Sequence, residues 1–506
     1  MARLRPPRLE VPMDDPLPWL DALLDPATYP HPVAEVELVH THLSVIALTG
    51  EYAYKLKKPV DYGFVDFTTL EKRRAACEAE VRLNQRAAAE LYLGVVPLVR
   101  AAGGYRFGGE GEVVEWAVRM RQFDPGQQLD RVAERVGSLP EPLLDALADN
   151  VAALHEGAAR ASGPMAASYP DRLAAAIDGN FQSLPEDAAA SELRAAFDRH
   201  LQAQGELLAR RAAEGRVREC HGDLHLANIC LWEGRPLPFD CIEFNDDFRI
   251  IDTLADLAFL FMDLGERGLE GAAWRVLNRY LERTGDYGGL PAFPLFVAYR
   301  AHVRAKIAHL TAAAPGVPEG ERAAHHATRD RYLRLAARTL EPHRGGLVVM
   351  VGLPGSGKST VALERACRHG GVRIRSDVER KRLHAASPEL ELYGDALGAL
   401  TYKTLLDHAR AVVAAGYTAY LDATYLRAGY REGPRALAEE LGVPLRFLHC
   451  DAPLQELRRR VRERAAAGHD VSDADEQVLL TMAGSWEPFT PEEAPLVERV
   501  APEPGA

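Results

Sequence analysis

This chain of 506 residues has few cysteines, lacks long apolar runs and has no excess of basic charge. Its six cysteines are widely scattered, which is typical of reduced thiols in the cytoplasm rather than of a disulfide framework. No apolar run approaches the roughly 18 residues that a membrane-spanning helix needs, so we expect no membrane partner. The first residues are basic but are not followed by an apolar stretch, which argues against a signal peptide.

The charge balance excludes further classes of protein. Lysine and arginine number 60 against 73 aspartates and glutamates, which gives a net charge of −13. This balance, without basic stretches rich in aromatic residues, disfavours a general nucleic-acid or membrane-surface binder, although a local basic groove stays compatible with it. A composition of 47% hydrophobic and 26% charged residues is ordinary for a globular protein, and the length suggests about three domain-sized units.

The densest chemical pattern lies between His221 and Phe244 and reads HGDLHLANICLWEGRPLPFDCIEF. Asp223 lies five residues before Asn228, and Asp240 follows twelve residues after that. A carboxylate, an amide and a second carboxylate at such intervals serve phosphoryl transfer in kinase-like folds. The pattern therefore predicts that Asp223 takes the proton of an acceptor hydroxyl, and that Asn228 and Asp240 hold magnesium.

A zinc cluster is the alternative interpretation of the same stretch. Short spacings of histidine and cysteine are common by chance, and a zinc site would not need the carboxylates. Its ligands would be Cys220, His221, His225 and Cys230.

The HGDLH sequence resembles the catalytic loop of the aminoglycoside phosphotransferase and choline kinase branch of the kinase-like fold. The resemblance implies a strand lysine that contacts the α- and β-phosphates, and a helical glutamate that pairs with it. We assign Lys55 to the first role, with Lys57 second, and Glu80 to the other role, with Glu78 second. The alternative for the two lysines, which share one face of a predicted strand, is a solvated sheet edge.

The chain departs from the protein-kinase pattern before this lysine strand, where it has no G-x-G-x-x-G sequence. The loop from His40 to Ser44 would have to cover the nucleotide, with Ser44 or backbone amides on phosphate. The stretch from Glu115 to Phe123 lies where the fold's inter-lobe hinge would contact adenine.

Helices are predicted over 14–29, mostly in the extension that precedes the first domain, and over 68–90, 129–159 and 170–214 of that domain. We expect Asp256 to be a structural partner of the catalytic loop rather than a reactant. Arg300 and Arg304 share a helix face and are candidates to receive an anionic acceptor, the alternative being a solvated basic face.

A second phosphate-binding pattern follows the apolar strand from Leu347 to Val351. The sequence GLPGSGKST fits G-x-x-x-x-G-K-S between a strand and a helix, so backbone N–H groups would face phosphate. Lys358 would reach the β- and γ-phosphates, Ser359 would bind magnesium, and the helix N-terminus would add positive charge. The predicted nucleotide-contacting residues are Gly352, Leu353, Pro354, Gly355, Ser356, Gly357, Lys358, Ser359 and Thr360.

The segment after this loop resembles the gluconate kinase, shikimate kinase and polynucleotide 5′-kinase group. The resemblance implies that Asp377 is the general base and that Arg380 binds the acceptor. Asp377 could also, or instead, cap the helix that follows it. Asp422 is a candidate magnesium ligand of the second shell, with a cap or turn role as the alternative.

The stretch RRRVRERAAAGHD, from Arg458 to Asp470, is similar to a lid that closes over the transferring phosphoryl group. Arg462 and Arg464 are its candidates for stabilising the developing charge. A charged amphipathic helix is the alternative.

Together these patterns predict an α+β bilobal protein-kinase-like domain followed by an α/β P-loop domain with a parallel sheet. The pairing resembles a bacterial family of fused aminoglycoside-phosphotransferase-like and P-loop kinase-like proteins, which implies ATP and Mg²⁺ as cofactors and small hydroxyl compounds as acceptors. Two alternatives stay open: a nucleotide-sensing pseudokinase in the first domain, or a nucleic-acid 5′-hydroxyl kinase in the second. The predicted segments are an extension (1–29), the kinase-like domain (30–335), a linker (336–346), the P-loop domain (347–500) and a disordered tail (501–506).

Overall fold

A computed structural model describes residues 17–101, 103–467 and 474–500 of the chain. The predictions for the first 16 residues and for a tail at 501–506 lie outside the described residues.

The chain divides into two compact units that interleave along the sequence. The first runs to Leu139 and also contains Ala153–Leu260 and Val297–Arg338. The second contains Pro140–Ala152, Phe261–Phe296 and the chain from Thr339 onwards. The predicted domains, in contrast, follow one another along the chain, and their bounds stay a prediction.

The first unit is built around an antiparallel sheet. Its strands are β1 (Glu37–His40), β2 (Ser44–Leu48), β3 (Tyr52–Lys57), β4 (Tyr92–Ala101), β5 (Gly104–Phe107) and β6 (Glu112–Arg121). Within the described residues their order across the sheet is β1-β2-β3-β6-β4-β5. Because strand side chains alternate between faces, the sheet has an apolar core on each side, one around Tyr54 and Phe107 and one around Leu91 and Val118.

Helix α1 (Leu70–Ala88) crosses between β3 and β4. The Thr69 hydroxyl accepts a hydrogen bond from the Lys72 backbone N–H at 3.3 Å, so Thr69 is the N-cap. Cys77 and Leu83, both fully buried, lie on its inner face. The helix therefore brings one row of side chains, including Glu80, to the sheet.

The chain after β6 is mainly helical. In chain order its elements are α2 (Leu129–Val136), α3 (Glu141–Gly157), α4 (Gly163–Ala167), α5 (Tyr169–Gln182), α6 (Ala188–Ala213), β7 (Val217–Glu219), β8 (Ile229–Trp232), β9 (Arg235–Pro238), α7 (Asp246–Arg249), β10 (Ile250–Asp252), α8 (Thr253–Glu266), α9 (Glu270–Thr284), α10 (Phe293–Ala313) and α11 (Glu319–Thr339). Strand β7 pairs with β10 and β8 with β9, each antiparallel.

Three of the predicted helices are shorter in the structure. The helix predicted over 129–159 is two helices, because Gly137 adopts a left-handed conformation (φ 76°) and Pro140 follows it. The helix predicted over 170–214 is also two, with Pro185 between α5 and α6. In place of a helix over 14–29, the described part has short 3₁₀ turns at Asp21–Leu24 and Pro26–Thr28. Asp25, which precedes Pro26, is extended, so it ends the first turn and caps the second.

The second unit contains a parallel sheet, as the sequence predicts. Its strands are β11 (Leu347–Val351), β12 (Gly371–Arg375), β13 (Thr418–Asp422), β14 (Leu445–Cys450) and β15 (Val497–Val500), and over the described residues their order is β12-β13-β11-β14-β15. The helices of this part are α12 (Lys358–His369), α13 (Ser376–Ala386), α14 (Asp395–Ala414), α15 (Ala428–Leu441), α16 (Leu454–Ala467) and α17 (Glu476–Ala483). Strand β11 is central, and the loop after it lies at the carboxyl edge of the parallel sheet, where ligands bind in such folds.

Each of the six cysteines, all within described residues, is a free thiol. Among the described helices, none combines the length and the apolar character needed to cross a bilayer.

One buried histidine of the first unit makes its stability depend on pH. His302 is fully buried in α10, its ring centroid 4.2 Å from that of Phe181 and 5.4 Å from that of Phe197. Within the described part of the chain, neither of its ring nitrogens has a hydrogen-bond partner. Burial, together with the charges of Lys306 and Arg194, lowers the pKa of His302 from 6.5 to about 3.

We expect the free energy of unfolding to fall as the pH drops from 6.5 towards 3, because only the unfolded chain takes up the His302 proton readily. At pH 4.5 this contribution amounts to about 2.7 kcal/mol. Urea unfolding of wild type and His302→Leu at pH 7.5 and 4.5 measures it: the variant should gain about that much relative to wild type on acidification. The matched control is His42→Leu at an exposed position, and an equal response of both variants would contradict the assignment.

Candidate active sites

The loop between β7 and β8 is held by a buried carboxylate. Asp256 of α8 accepts hydrogen bonds from the backbone N–H of His221 at 2.9 Å and of Gly222 at 2.8 Å. His155 lies 3.0 Å from the same carboxylate, and its hydrogen bond contributes to lowering the pKa of Asp256 to about 2 against the opposing effect of burial. Asp256 is thus an anchor of the loop, as expected for a structural partner.

Glycine is needed at the second position of this loop. Gly222 has φ +88°, and a Cβ there would lie 2.9 Å from the Phe248 carbonyl oxygen. Arg300 donates to the Gly222 and Ala255 carbonyl oxygens, each at 3.1 Å. The backbone directly before Asp223 is therefore held by both Asp256 and Arg300.

Asp223 and Asn228 are brought together at the end of this loop. The Asn228 amide nitrogen donates to the Asp223 carboxylate at 2.9 Å and to its backbone carbonyl oxygen at 3.0 Å. The ring of His225 lies 3.3 Å from the same carboxylate oxygen. The Asn228 amide nitrogen is therefore used by Asp223, and the Asn228 amide oxygen is the atom that could bind a metal ion.

The Asp223 carboxyl is ionised at neutral pH. Burial raises its pKa, but the charge and hydrogen bond of His225 and the charge of Arg304 outweigh burial and hold that pKa well below its usual range. The Asp223 side chain is 37% exposed, so it can accept a hydrogen bond from a bound hydroxyl group.

A network of buried ion pairs joins β3 to α1. The Lys55 ammonium lies 2.7 Å from Glu80 and 2.5 Å from Asp240, and the Lys57 ammonium lies 2.5 Å from the other Glu80 oxygen. Burial opposes the charge on Lys55, but Asp240 and Glu80 outweigh it and raise its pKa well above the ordinary value. Both lysines therefore face α1 from one side of β3, and Glu78, the second candidate on the helix, pairs instead with exposed Arg74.

Glu243 is a member of this network that the sequence analysis missed. Its carboxylate pairs with Lys57, and burial raises the pKa of Glu243. The signal was present in the sequence: Glu243 lies three residues after Asp240, in the stretch already assigned to phosphoryl transfer.

Asp240 takes an unusual backbone conformation, with φ 63°. Its backbone N–H donates to the Tyr92 hydroxyl at 3.1 Å, and the next N–H, of Cys241, donates to the Asn84 side chain at 2.9 Å. Neighbouring contacts thus hold a strained backbone, as is common at functional sites. The Asp240 side chain remains 42% exposed beside its bond to Lys55.

The loop proposed to cover the nucleotide is a tight hairpin between β1 and β2. Ser44 is 1% exposed, and its backbone N–H and carbonyl both bond to Thr41. Ser44 pairs in register with Lys57, one strand away from the ion-pair network. Its contact with phosphate stays a prediction.

The stretch predicted as a hinge, Glu115 to Phe123, forms most of β6 and the two residues after it. Glu115 is buried and bonded to Arg73 at 2.8 Å, so its side chain is structural. Phe123 packs edge to face on Phe239, with ring centroids 5.1 Å apart, directly before Asp240.

The two helical arginines differ in environment. Arg300 is buried and bonded to backbone carbonyls, which is a structural role. Arg304 is half-buried, lies 5.9 Å from the Tyr332 ring centroid, and contributes to the low pKa of Asp223. Arg304 thus remains the candidate for an anionic acceptor.

The zinc alternative is wrong. Over residues 17–101, 103–467 and 474–500, the group close enough to share a metal ion is His155, Cys220 and Asp256, which leaves out His221, His225 and Cys230. Asp256 already accepts bonds from the loop between β7 and β8, and the Cys220 thiol donates to the Ile251 carbonyl oxygen at 3.5 Å.

In the second unit, the P-loop residues form the curled connection between β11 and α12. Gly352, Gly355 and Gly357 all have positive φ, at 159°, 81° and 80°. A Cβ on Gly352 would lie 2.5 Å from the Cys450 carbonyl oxygen, so only glycine fits there. This curvature is what an amide nest for phosphate requires.

The two predicted magnesium ligands of the P-loop site are in contact. The Ser359 hydroxyl, in the first turn of α12, donates to Asp422 at 3.0 Å. Asp422 is buried at the carboxyl end of β13, and its other oxygen lies 3.7 Å from Arg375. Ser359 and Asp422 therefore face one another at the carboxyl edge of the sheet.

Asp377 and Arg380 lie on the first turns of α13. The N-cap of that helix is Arg375, so the interpretation of Asp377 as the cap is wrong. Both residues are half-buried, and the Arg380 guanidinium lies 5.5 Å from the Tyr393 ring centroid. Their roles at an acceptor stay predictions.

The predicted lid is the charged helix α16. Arg462 is exposed and bonds to Glu476 at 2.6 and 2.9 Å, while Arg464 donates to the Ala474 carbonyl oxygen. Residues 468–473 of the predicted stretch lie outside the described residues. A contact with phosphate stays a prediction for both arginines.

Comparisons with known proteins bear on both parts of the chain. Residues 64–293 match the model of a family described as a phosphotransferase enzyme family, and residues 347–489 match one described as an AAA domain. An ethanolamine kinase of Plasmodium vivax is 12% identical, with 60% of this chain and 81% of that chain covered and a TM-score of 0.38. A gluconokinase of Sinorhizobium meliloti is 20% identical, with 31% and 83% covered and a TM-score of 0.24.

A relative matches nearly the whole chain. Rv2004c of Mycobacterium tuberculosis, described as an uncharacterized protein, is 31% identical over 477 residues, which cover 90% of this chain and 92% of the relative. The fused order expected from the sequence is confirmed by the two family matches. The chain belongs to the same family as Rv2004c and joins an aminoglycoside-phosphotransferase-type domain to a P-loop kinase-type domain.

Proposed function

We propose that this protein is a bifunctional ATP-dependent phosphotransferase, which transfers the γ-phosphoryl group of ATP to hydroxyl groups of small molecules at two separate sites. Two matched kinase-type families support the coarser conclusion, that it is a phosphotransferase. The use of ATP and Mg²⁺, the hydroxyl acceptors and the presence of two sites are the parts proposed here.

One observation carries the proposal for the first site: Lys55 bonds to both Glu80 and Asp240. In kinase-like phosphoryl transfer a lysine must be held by a helical glutamate while it lies beside the metal-binding carboxylate. A solvated edge lysine would have neither partner, and Lys55 is 9% exposed.

The donor atoms of this site suit magnesium. Asn228 and Asp240 offer an amide and a carboxylate oxygen, the hard ligands that Mg²⁺ prefers, and Asp240 is both exposed and fixed by its backbone bonds. When bound there, magnesium would neutralise the charge on the nucleotide phosphates.

The protein's own residues account for the remaining chemistry at the first site. The ionised Asp223 accepts the proton of the acceptor hydroxyl group. The acceptor oxygen then bonds to the γ-phosphorus, and ADP leaves. The His221 and Gly222 bonds to Asp256 fix the position of Asp223, and Lys55 neutralises phosphate charge.

The second site is supported by the curled loop from Gly352 to Thr360 and by the contact between Ser359 and Asp422. Its amides and Lys358 would hold the β- and γ-phosphates, and Ser359 and Asp422 suit magnesium. Asp377 would accept the proton of the acceptor hydroxyl and Arg380 would bind the acceptor.

Acceptor identity separates this function from its alternatives. Small hydroxyl compounds and 5′-hydroxyl oligonucleotides, each incubated with labelled ATP and the full chain, would show which is phosphorylated. Labelling of oligonucleotides alone, lost in Asp377→Ala, would replace the small-molecule proposal for the second site by a nucleic-acid kinase.

Replacement of Asp223 by Asn should lower kcat of phosphoryl transfer at the first site by about 10²- to 10⁴-fold, because the amide cannot take the proton. Transfer of label from ATP to the identified acceptor measures this. Asp198→Asn, at an exposed position of α6, is the matched control and should transfer at the wild-type rate. A first site that keeps its full rate without the Asp223 carboxylate would exclude it as the base.

The two lysines of β3 should contribute unequally. We expect Lys55→Met to lower kcat/KM for ATP at the first site by about 100-fold, because Lys55 lies against Asp240, and Lys57→Met to lower it less. Steady-state kinetics of the two variants, with circular dichroism as a check on folding, decides between them. The greater loss in Lys57→Met would transfer the phosphate-binding role to Lys57.

Lys358→Ala should remove one of two ATP-binding events. The loop would lose its phosphate-binding ammonium group, whereas the site at Lys55 and Asp240 would be unchanged. Isothermal titration of the full chain with Mg-ATP counts the events, and the exposed Lys403→Ala serves as the control. Complete loss of binding in Lys358→Ala would mean that the chain has a single nucleotide site.

A further inference from the structure

The P-loop sheet of the second unit has helix α9 against its β12 edge, and α9 comes from the segment matched by the phosphotransferase family model. Strand β12 pairs with β13 on one side and lies at the end of the described strand order. An open strand edge presents unpaired N–H and carbonyl groups. The side chains of α9 meet those groups.

Asn278 of α9 pairs with this edge as a neighbouring strand would. Its side-chain oxygen accepts from the Arg373 backbone N–H at 2.6 Å, and its side-chain nitrogen donates to the Gly371 carbonyl oxygen at 2.9 Å. Residues 371 and 373 point their backbone groups to the same side because they are two apart on a strand. Asn278 is fully buried, so these bonds are shielded from water.

Glu282 lies one turn further along the same face of α9. Its carboxylate accepts from the Arg373 guanidinium at 3.0 and 2.5 Å, and both side chains are nearly buried, at 9% exposed for arginine and 6% for glutamate. A buried guanidinium needs such a partner, because removing one member of a buried ion pair leaves the other uncompensated.

The same guanidinium reaches the P-loop helix. Arg373 donates from its remaining terminal nitrogen to the Ser359 carbonyl oxygen at 2.8 Å. The hydroxyl of Ser359 donates to Asp422 at 3.0 Å. A continuous chain of bonds therefore runs from Glu282 through Arg373 to the residue proposed to bind magnesium.

We propose that Glu282 and Arg373 are positioning residues of the P-loop site, which hold Ser359 where its hydroxyl can bind the magnesium of Mg-ATP. The inference rests on the proposed nucleotide site of this loop. It means that the P-loop site takes part of its support from α9, outside the segment 347–489 that the AAA-domain model matches.

The affinity for ATP with and without magnesium tests this role. All titrations use the full chain with Lys55→Met and Asp240→Asn as background, so that the heat of ATP binding reports the P-loop site. Lys358→Ala in the same background must abolish that heat. Glu282→Gln keeps the shape of the side chain and removes its charge. It should lower the gain in ATP affinity on adding Mg²⁺ about tenfold, as loss of a residue that orients a metal ligand does, while affinity in EDTA stays within about twofold.

Glu270→Gln is the matched control, because it makes the same change at an exposed position of the same helix, and its magnesium gain should stay unchanged. Arg373→Lys is the second variant. Lysine keeps the positive charge beside Glu282 but lacks the planar fork that reaches both partners, so the magnesium gain should fall without loss of folding.

The outcomes separate the two proposals. An unchanged magnesium gain in Glu282→Gln and Arg373→Lys, with binding abolished by Lys358→Ala, overturns the positioning role and leaves the nucleotide site standing. Equal loss of affinity with and without magnesium also overturns it, since that is what a general structural role predicts. If Glu282→Gln does not fold, Arg373→Lys decides alone. Heat that persists in Lys358→Ala overturns the nucleotide site and, with it, the positioning role.

Discussion

The first site depends on a buried glutamate with two ammonium partners. Glu80, fully buried on α1, forms an ion pair with Lys55 through one oxygen and with Lys57 through the other. Because a buried carboxylate is costly unless it is paired, α1 must stay against β3, and β3 must keep both lysines on one face. Asp240 and Glu243 then meet the two ammonium groups from a distant part of the chain.

The same principle organises the loop between β7 and β8 and the P-loop. In the loop between β7 and β8, Asp256 accepts hydrogen bonds from two backbone N–H groups. These bonds fix the position of Asp223 without using the Asp223 carboxylate. In the P-loop unit, Glu282 and Arg373 form the buried pair, and a backbone carbonyl of the P-loop helix is its third partner. In each case a residue that would bind substrate or metal is half-buried, and a neighbouring buried charge fixes its position.

Much of the fold and of the candidate sites could be predicted from local patterns. The alternation in β3 placed Lys55 and Lys57 on one face, and the glycines of the P-loop predicted its curvature. Helix ends were less predictable: the breaks at Gly137 and Pro185 divide what periodicity alone joins into long helices. Of the two roles offered for Asp377, the helix cap is wrong, because α13 begins at Ser376 directly after β12 and its N-cap is Arg375.

The sequence by itself determined the two phosphate-binding patterns, because consecutive amides and closely spaced carboxylates must be encoded by neighbouring residues. It could not determine which charges would pair. Lys55 and Asp240 are 185 residues apart, and Glu282 and Arg373 are 91 apart. Asn278 and Glu282 carry no local signature that separates them from ordinary helix residues. Only the tertiary structure shows which of these side chains pair. A buried polar group or charge is costly without a partner, so the fold must place a suitable partner beside each of them.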